Sequence, residues 1–368
     1  MTEERLIFHH FDPRTPGLGG IDTCIRGLVR FGRGRRFAFV GSTRASRSGC
    51  SGEWQHTVME GNTVRYLYVS RLRDGGHGTP NSLRFVLGAA FHAPRIRGYP
   101  VDVVQVHRPE TALIARRLFP SSRLDLLLHE DAAHWTTSTS ESRWRWFKST
   151  YLRLIRTAVQ RADRVVSFSP TASERLSTET PSIISVPTWF DPELFPETPR
   201  KLVRGRRVLW IGRLEAVKDP ELALSVLQRL DPEDELSIVG EGRLRSQLEQ
   251  RIGEFRLRER VRLVGAVSKC TVARLLRDHD VVLMTSHSEG FPRTMVEALA
   301  TGRPVVATAT ADSGYLLETA VNGGRATTRD PGELAQLVRD CDPLGSSACR
   351  SSVAHLAATS IVPIVLGD

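Results

Sequence analysis

The sequence predicts an α/β protein made of two doubly wound domains in series, and three observations support this prediction. The chain has 368 residues, which is more than a single hydrophobic core usually accommodates. Short runs rich in Val, Ile, Leu and Phe alternate with segments of helical spacing, as is typical of parallel sheets covered by helices on both faces. One segment, residues 191–200, interrupts this alternation with three prolines in ten residues.

The first half contains predicted strands at residues 6–9, 37–41, 64–69, 101–106, 124–129, 165–169 and 183–186. Predicted helices lie between some of them, at residues 21–31, 83–91 and 144–159. We assign residues 1–190 to a first domain, because the proline-rich segment that follows has no hydrophobic period.

The second half resumes the alternation more regularly after a linker at residues 191–205. Predicted strands are residues 208–212, 236–239, 261–264, 281–285 and 304–308, and predicted helices are residues 220–230, 244–252, 271–277 and 293–300. Residues 206–368 therefore form a predicted second domain. In open α/β sheets, ligands bind at the carboxyl ends of the strands, and we expect a cleft between two such domains.

The net charge of +10 is concentrated in the first half, where residues 1–200 hold 28 Lys and Arg against 19 Asp and Glu. This excess favours an anionic partner, such as a phosphorylated substrate, a membrane surface or a nucleic acid. The dominance of Arg over Lys is also what a GC-rich genome produces. Charge alone therefore does not identify the partner.

The N-terminal residues and the cysteines predict a cytoplasmic protein. Acidic residues precede a short apolar patch at the start of the chain, which is not the pattern of a signal peptide. No apolar run approaches the roughly 20 residues that span a bilayer. The five cysteines form no C-x-x-C pair, so they are expected to be reduced thiols without a zinc site.

Arg213 and Lys218 lie in the segment W-I-G-R-L-E-A-V-K-D-P, between a predicted strand and the next helix. Two cations beside a helix N-terminus can bind a diphosphate, because the helix dipole and the unpaired N–H groups also favour anions. The alternative is a capped surface loop with two solvated cations.

Glu289 and Glu297 flank the start of another predicted helix in S-H-S-E-G-F-P-R-T-M-V-E. Gly290 allows the backbone to approach a ligand closely. A glutamate in the loop and a second one inside the helix can accept hydrogen bonds from two separate polyol groups. The alternative is an acidic residue favoured by the helix dipole, followed by an ordinary helix glutamate.

Four blocks of the second half resemble the donor domain of the retaining glycosyltransferases of family 4 (glycosyl transferases group 1), which have the GT-B fold. The blocks are G-R-L-x-x-x-K at residues 212–218, I-V-G-x-G at 238–242, L-V-G at 263–265, and S-x-x-E-G-F-P at 286–292 followed by E-A-x-A-x-G-x-P-V-V. The fold class implied is α/β, GT-B, with two Rossmann-like domains facing each other across a cleft. A chance match to all four blocks in order is improbable.

The resemblance implies roles for the residues of these blocks. Arg213 and Lys218 would hold the donor diphosphate and neutralise it as it leaves. Glu289 would contact hydroxyls of the donor sugar, with the backbone N–H groups of Gly290 and Phe291 nearby. The family needs no bound metal and no cofactor, since the nucleotide sugar is itself a substrate.

The resemblance also implies roles outside the diphosphate site. Glu297 would accept hydrogen bonds from the ribose hydroxyls, and Val267 would lie beside the base. In the first half, Gly19 and Gly20 correspond to a glycine-rich loop near the phosphates, and His129 corresponds to an active-site histidine. The alternatives there are a plain tight turn and a structural histidine. The linker departs from the family pattern, with T-W-F-D at residues 188–191 in place of N-G-V-D.

The function implied is a retaining, metal-independent transfer of a hexose from a UDP or GDP sugar to a hydroxyl of a glycan, a lipid-linked or a small-molecule acceptor. One alternative is a sugar-nucleotide epimerase or hydrolase of the same fold, against which the paired glutamates argue. Another is a basic module that binds membrane or nucleic acid without catalysis. The chain shows no nucleic-acid-binding motif, so no nucleic-acid partner is expected.

The predicted helix at residues 144–159 has two interpretations. Its apolar residues Trp144, Phe147, Tyr151, Leu154 and Ile155 share one face, and basic residues flank them. Such a helix either packs its apolar face on the sheet or lies on an anionic membrane, here the inner face of the plasma membrane.

Overall fold

The structure is a computed structural model that describes residues 2–15, 19–43, 52–72, 81–129, 148–180, 182–199, 205–310, 313–341 and 345–368. The chain divides into two compact units. Unit 1 comprises the described residues up to Val186 together with Val362–Asp368, and unit 2 comprises Pro187–Ile361.

Unit 1 is built on an eight-stranded sheet with the order β3-β4-β2-β1-β5-β6-β7-β8. Its strands are β1 (Glu3–Phe8), β2 (Arg35–Thr43), β3 (Gln55–Met59), β4 (Asn62–Arg71), β5 (Val103–Val106), β6 (Arg123–Leu128), β7 (Arg164–Ser167) and β8 (Ile183–Ser185). Its helices are α1 (Gly20–Phe31), α2 (Asn81–Phe91), α3 (Ala93–Arg97), α4 (Pro109–Leu118), α5 (Lys148–Arg161) and α6 (Pro170–Leu176). All strand pairs are parallel except β3 with β4.

The strand β3 was not predicted, because its sequence QHTVM is mostly polar. It lies at the edge of the sheet and pairs with β4 through a two-residue turn at Glu60 and Gly61, both with positive φ. Two residues of positive φ form the turn that matches the twist of a β-hairpin.

Unit 2 is built on a six-stranded parallel sheet with the order β11-β10-β9-β12-β13-β14. Its strands are β9 (Arg207–Ile211), β10 (Glu235–Val239), β11 (Val261–Gly265), β12 (Val281–Met284), β13 (Val305–Ala307) and β14 (Gly323–Arg325). Its helices are α7 (Pro220–Leu227), α8 (Arg245–Glu254), α9 (Lys269–Asp278), α10 (Arg293–Ala300), α11 (Pro331–Asp340) and α12 (Ser346–Val353). The predicted strands and helices of this half are present, with ends that differ by a few residues.

The last helix, α13 (Ala358–Leu366), ends in unit 1, whereas the sequence assigns the whole C-terminus to the second domain. The carbonyl oxygens that end a helix have no partner within it, and arginines of unit 1 supply one. Arg5 donates to the Leu366 carbonyl at 2.9 Å and Arg164 to the Val365 carbonyl at 2.6 Å. Arg35 pairs with the Asp368 carboxylate, so side chains far away in sequence hold the end of the chain.

The described part of the helix predicted at residues 144–159 is α5, and its apolar face is buried. Tyr151, Ile155, Ala158 and Val159 belong to the hydrophobic core of unit 1, which favours the packed interpretation. Trp144 lies outside the described residues, as does Phe147. Within the described ranges, no helix is both long and apolar enough to cross a bilayer.

Candidate active site

Four strands of unit 2 end in the segments that the sequence singles out. Strands β9 and β12 precede the loops that carry Lys218 and Glu289, and β10 and β11 end beside Gly240 and Gly265. Since β11, β10, β9 and β12 are successive parallel neighbours, their carboxyl ends meet at one edge of the sheet. The structure therefore brings the motif segments together at this edge.

Glycines of the second block let two loops approach each other backbone to backbone. A Cβ at Gly240, where φ is +140°, would lie 1.8 Å from the Gly212 carbonyl oxygen, and one at Gly242 would lie 2.4 Å from that of Leu214. The Leu214 N–H donates to the Glu241 carbonyl at 3.0 Å. Larger residues cannot occupy these two positions without moving the loop that carries Arg213 and Lys218.

Thr285, the residue after β12, fixes the other side of that loop. Its buried hydroxyl accepts from the indole N–H of Trp210 at 2.9 Å and lies 2.7 Å from the Asp219 carbonyl oxygen, to which it donates. The His287 N–H donates to the Val217 carbonyl at 2.8 Å. These bonds hold the segment containing Lys218 against the end of β12.

Lys218 and Glu289 form an ion pair of 2.5 Å between Nζ and Oε1. The Ser286 hydroxyl also contacts Glu289 Oε1 at 2.5 Å. The side chains of Lys218 and Glu289 are 22% and 13% exposed, so the pair is largely withdrawn from bulk water but open on one side. Two predicted site residues that are far apart in sequence thus meet in the fold.

Arg213 lies on the same loop but is more open to solvent. Its side chain is 62% exposed, and its guanidinium pairs with Glu215 at 2.7 Å. A surface pair of this kind contributes little stability, so an incoming phosphate can take the arginine from Glu215 at small cost.

Glu297 is a buried carboxylate in α10, and its partner is a residue that the sequence did not suggest. Lys269 Nζ lies 2.5 Å from Glu297 Oε1, and it also lies 5.4 Å from the centre of the Phe195 ring. Burial lowers the pKa of Lys269, against the opposing effect of the Glu297 charge. Its position in the sequence could have indicated Lys269, because it follows the predicted base-binding residue Val267 by two residues.

The remaining predicted donor residues occupy half-buried or open positions. Val267 precedes α9, and Gly290 and Phe291 precede α10; all three are half-buried. In unit 1, Gly19 is the N-cap of α1 and Gly20 its first residue. A Cβ at either of these two glycines would meet no described atom within 4 Å.

His129 lies directly after β6 and contacts a second histidine. Its Nε2 is 2.8 Å from Nδ1 of the buried His107, which follows β5. His9 and His10 follow β1, the other neighbour of β5, and the His9 ring lies 5.6 Å from that of His107. Burial lowers the pKa of His107 to about 3, with a smaller effect from Arg108, so it is neutral at ordinary pH.

The sequence carries a signal for this histidine cluster, although His129 was its only predicted member. Three adjacent parallel strands are each followed at once by histidine. Among the described residues, Cys24 of α1 joins His107 and His129 in a set whose potential metal-ligating atoms lie within 4.8 Å of one another.

A cavity in unit 1 opens beside these histidines. Apolar side chains of α5, Tyr151 and Ile155 among them, form part of its wall. Arg108, Arg156 and Arg175 also line it, together with Glu179, which pairs with Arg156 at 2.9 Å.

Comparison with known proteins supports the assignment of the second half. Residues 205–341 match the model of the Glycosyl transferases group 1 family. This confirms the resemblance found at the four sequence blocks, all of which lie within the matched residues.

The curated relatives that the chain first matches are aligned over 35–42% of its length. Glycogen synthase of Mycobacterium tuberculosis is 33% identical over 133 residues, which is 35% of this chain and 31% of that protein. The chain spans about a third of the length of the curated relatives it first matches.

Solved structures extend the likeness in fold to nearly the whole chain. Sucrose-phosphate synthase of Thermosynechococcus elongatus has a TM-score of 0.80 at 18% identity, covering 99% of this chain and 97% of its own. Anabaena HepE in complex with UDP-glucose has a TM-score of 0.72 at 18% identity, covering 98% of each chain. The predicted fold class, GT-B with two Rossmann-like domains, is confirmed.

Proposed function

We propose that this chain is a glycosyltransferase that moves a hexose from a nucleoside-diphosphate sugar to an acceptor hydroxyl with retention of configuration. The observation that carries the proposal is the Lys218–Glu289 pair, which joins a cation and a carboxylate at the carboxyl edge of the unit 2 sheet. The matching family model covers both residues.

The charges at this edge suit a diphosphate that gains negative charge as it departs. Lys218 supplies a largely buried cation, and Arg213 supplies a solvent-exposed one. Fixed cations that need no rearrangement during the reaction stabilise such a leaving group efficiently. When the donor binds, the diphosphate would compete with Glu289 for Lys218 and free that carboxylate to accept from sugar hydroxyls.

Glu297 is positioned to bind a ribose by the same exchange. Its carboxylate is 2% exposed and already paired with Lys269. A ribose diol can donate two hydrogen bonds to one carboxylate, and Lys269 would remain beside it as a second polar contact.

We propose that the acceptor attacks on the face from which the diphosphate leaves, which retains the configuration. The departing diphosphate carries oxygens that can take the proton of the incoming hydroxyl, so the chemistry needs neither a metal nor a cofactor. The anomeric carbon becomes positively charged while its bond to the diphosphate breaks, and Arg213 and Lys218 balance the charge on the leaving group.

The acceptor would bind in unit 1, at the cavity beside His129. Three arginines and one glutamate line this cavity, along with apolar side chains of α5. That composition favours an acceptor with an anionic group next to an apolar one, and the basic charge of the first half is in keeping with it. Glycan, lipid-linked and small-molecule acceptors are all compatible with this proposal, as is contact with an anionic membrane.

A thermal-shift panel with UDP, GDP, ADP and dTDP sugars tests the donor. A ligand that binds the folded state alone raises Tm, by an amount that grows with its concentration over Kd. UDP-glucose is the first compound to try, since HepE was solved with it. We expect one nucleotide series to raise Tm and to release free nucleoside diphosphate on incubation with acceptor pools. No Tm shift and no release with any donor would overturn the proposal.

A further inference from the structure

A continuous chain of hydrogen bonds runs through the buried interior of unit 1 to His129. It begins at Asp125, whose Oδ2 lies 3.0 Å from Arg5 Nη1. The same Arg5 nitrogen lies 3.1 Å from Gln105 Oε1, and Gln105 Nε2 lies 2.9 Å from His107 Nε2. The side chains of Arg5, Gln105 and Asp125 are 0% exposed, and their strands β1, β5 and β6 are neighbours in the sheet.

The direction of every hydrogen bond in this series follows from Arg5. A guanidinium only donates, so the Gln105 oxygen must face Arg5. The amide nitrogen of Gln105 then faces His107 and donates to its Nε2. A neutral imidazole has one N–H, so His107 carries its proton on Nδ1 and donates it to His129 Nε2 at 2.8 Å.

We propose that this series of hydrogen bonds fixes the tautomer of His129, with its proton on Nδ1 and its Nε2 engaged as an acceptor. His129 therefore carries its N–H on Nδ1 and does not serve as a base through Nε2. Arg5, Gln105 and His107 are positioning residues that act through His129. That this histidine lies beside a bound sugar rests on the proposed function.

The same hydrogen bonds also disfavour protonation of His129. An imidazolium at His129 would place a proton on Nε2, facing the proton on His107 Nδ1. To accept that proton, His107 would have to move its own proton from Nδ1 to Nε2. The Gln105 amide already donates to Nε2. The neutral state of His107 that burial imposes on it, by lowering its pKa, agrees with this order.

The same geometry argues against a metal ion between Cys24, His107 and His129, although their ligand atoms lie within 4.8 Å of one another. A metal at His107 Nδ1 needs a lone pair there. Because Gln105 donates to Nε2, both ring nitrogens would then lack a proton, and His107 would have to be an imidazolate. Arg5 prevents the Gln105 amide from turning over to relieve this conflict.

The substitution Gln105→Glu tests the proposal, because it keeps the shape and reverses the chain. A carboxylate accepts from Arg5 and also from His107, which must then carry its proton on Nε2. His107 Nδ1 becomes an acceptor, and His129 must donate from Nε2. The matched control is Gln55→Glu on the edge strand β3, where Gln55 accepts from the Tyr66 hydroxyl.

The readout is the pattern of ¹⁵N–¹H couplings in protein labelled with [¹⁵N]histidine, in which His129 is assigned by its loss in His129→Gln. We expect an Nδ1–H tautomer at His129 in the wild type and in Gln55→Glu, and an Nε2–H tautomer in Gln105→Glu. An Nε2–H tautomer in the wild type, or an Nδ1–H tautomer at His129 in Gln105→Glu at a pH where His107 is neutral, would overturn the proposal. If Gln105→Glu fails to fold, Gln105→Met should populate both tautomers, and a single unchanged tautomer there would also overturn it.

Two further measurements distinguish this inference from the alternatives. Titration with Zn²⁺ should leave the His129 signals unchanged. Saturable shifts of these signals that Cys24→Ser abolishes would establish a metal site and contradict the proposed hydrogen-bond series. In the transfer assay, Gln105→Glu should lower kcat by on the order of tenfold or more, as expected when an oriented donor is lost; an unchanged kcat would remove His129 from the reaction. The spectra need no substrate, so they stand even if every donor in the thermal-shift panel fails.

Discussion

The carboxyl edges of the two sheets present different chemistry. In unit 2 the strands lead to charged side chains that pair across the edge, Lys218 with Glu289 and Lys269 with Glu297. In unit 1 the neighbouring strands lead to histidines, and burial keeps His107 neutral by lowering its pKa. Charge is what an anionic diphosphate requires, whereas a neutral, oriented donor suits an uncharged hydroxyl. In the proposed function, unit 2 would supply the electrostatic part of the reaction and unit 1 the hydrogen-bond orientation.

The largest effect is expected from the cations of unit 2. Lys218→Ala should lower kcat by about 10²–10³, because in the proposed reaction the lysine acts on charge that grows toward the transition state. Arg213→Ala should cost less, about tenfold, since its side chain is 62% exposed and water screens it. The control is Arg251→Ala on α8, which removes an exposed cation paired with Glu221. Steady-state kinetics that show a loss in KM alone would reduce both residues to anchors of the donor.

Substitutions at two glycines, one in each unit, test the difference between the units through the free energy of unfolding. Gly240→Ala should lower the stability of unit 2 by about 3 kcal/mol or more, because φ is positive and the new Cβ meets the Gly212 carbonyl. Gly20→Ala, at the start of α1, should change stability by less than about 1 kcal/mol. Denaturant unfolding measures both. Gly20→Ala should nevertheless raise the donor KM if phosphates approach that helix start. Equal losses of stability in the two variants would contradict the expected difference.

Acid should destabilise unit 1 through its histidines. A histidine in the unfolded chain has a pKa near 6.5, whereas the pKa of folded His107 is about 3, so the unfolded state binds more protons between these values. The stabilisation is therefore complete above pH 6.5 and is lost as pH falls toward 3, by up to about 1.4 kcal/mol per pH unit. His9, whose pKa burial also lowers, adds to the slope. His107→Gln should flatten the dependence of unfolding free energy on pH, and identical slopes would refute the assignment.

The second half could be predicted from the sequence as far as residue 308, whereas β14, α11 and α12 beyond it were not predicted. The reason for the success is local. The motif segments of this half each follow a strand, and parallel strands deliver their carboxyl ends to one edge whatever their order. The Lys269–Glu297 pair was missed because it depends on where the start of α9 lies relative to α10 in the fold, which no spacing encodes.

The first half was less predictable, because its features depend on strand order. His9, His107 and His129 come together only because β1 pairs with β5 and β5 with β6. The sequence alone does not state this pairing. The edge strand β3 is too polar for a hydrophobic pattern to reveal, and the binding of the C-terminus by Arg5 and Arg164 links segments about 200 to 360 residues apart.

The most direct test of the central claim is turnover of the donor selected by the thermal-shift panel, followed by NMR with the wild type, Glu289→Gln and the surface control Glu254→Gln. We expect the wild type and Glu254→Gln to release nucleoside diphosphate and to form a product with the anomeric configuration of the donor. Glu289→Gln should still bind nucleoside diphosphate but lose most of its turnover, since it removes the carboxylate that is proposed to accept from the donor sugar. Full turnover by Glu289→Gln, or a product of inverted configuration, would contradict the account.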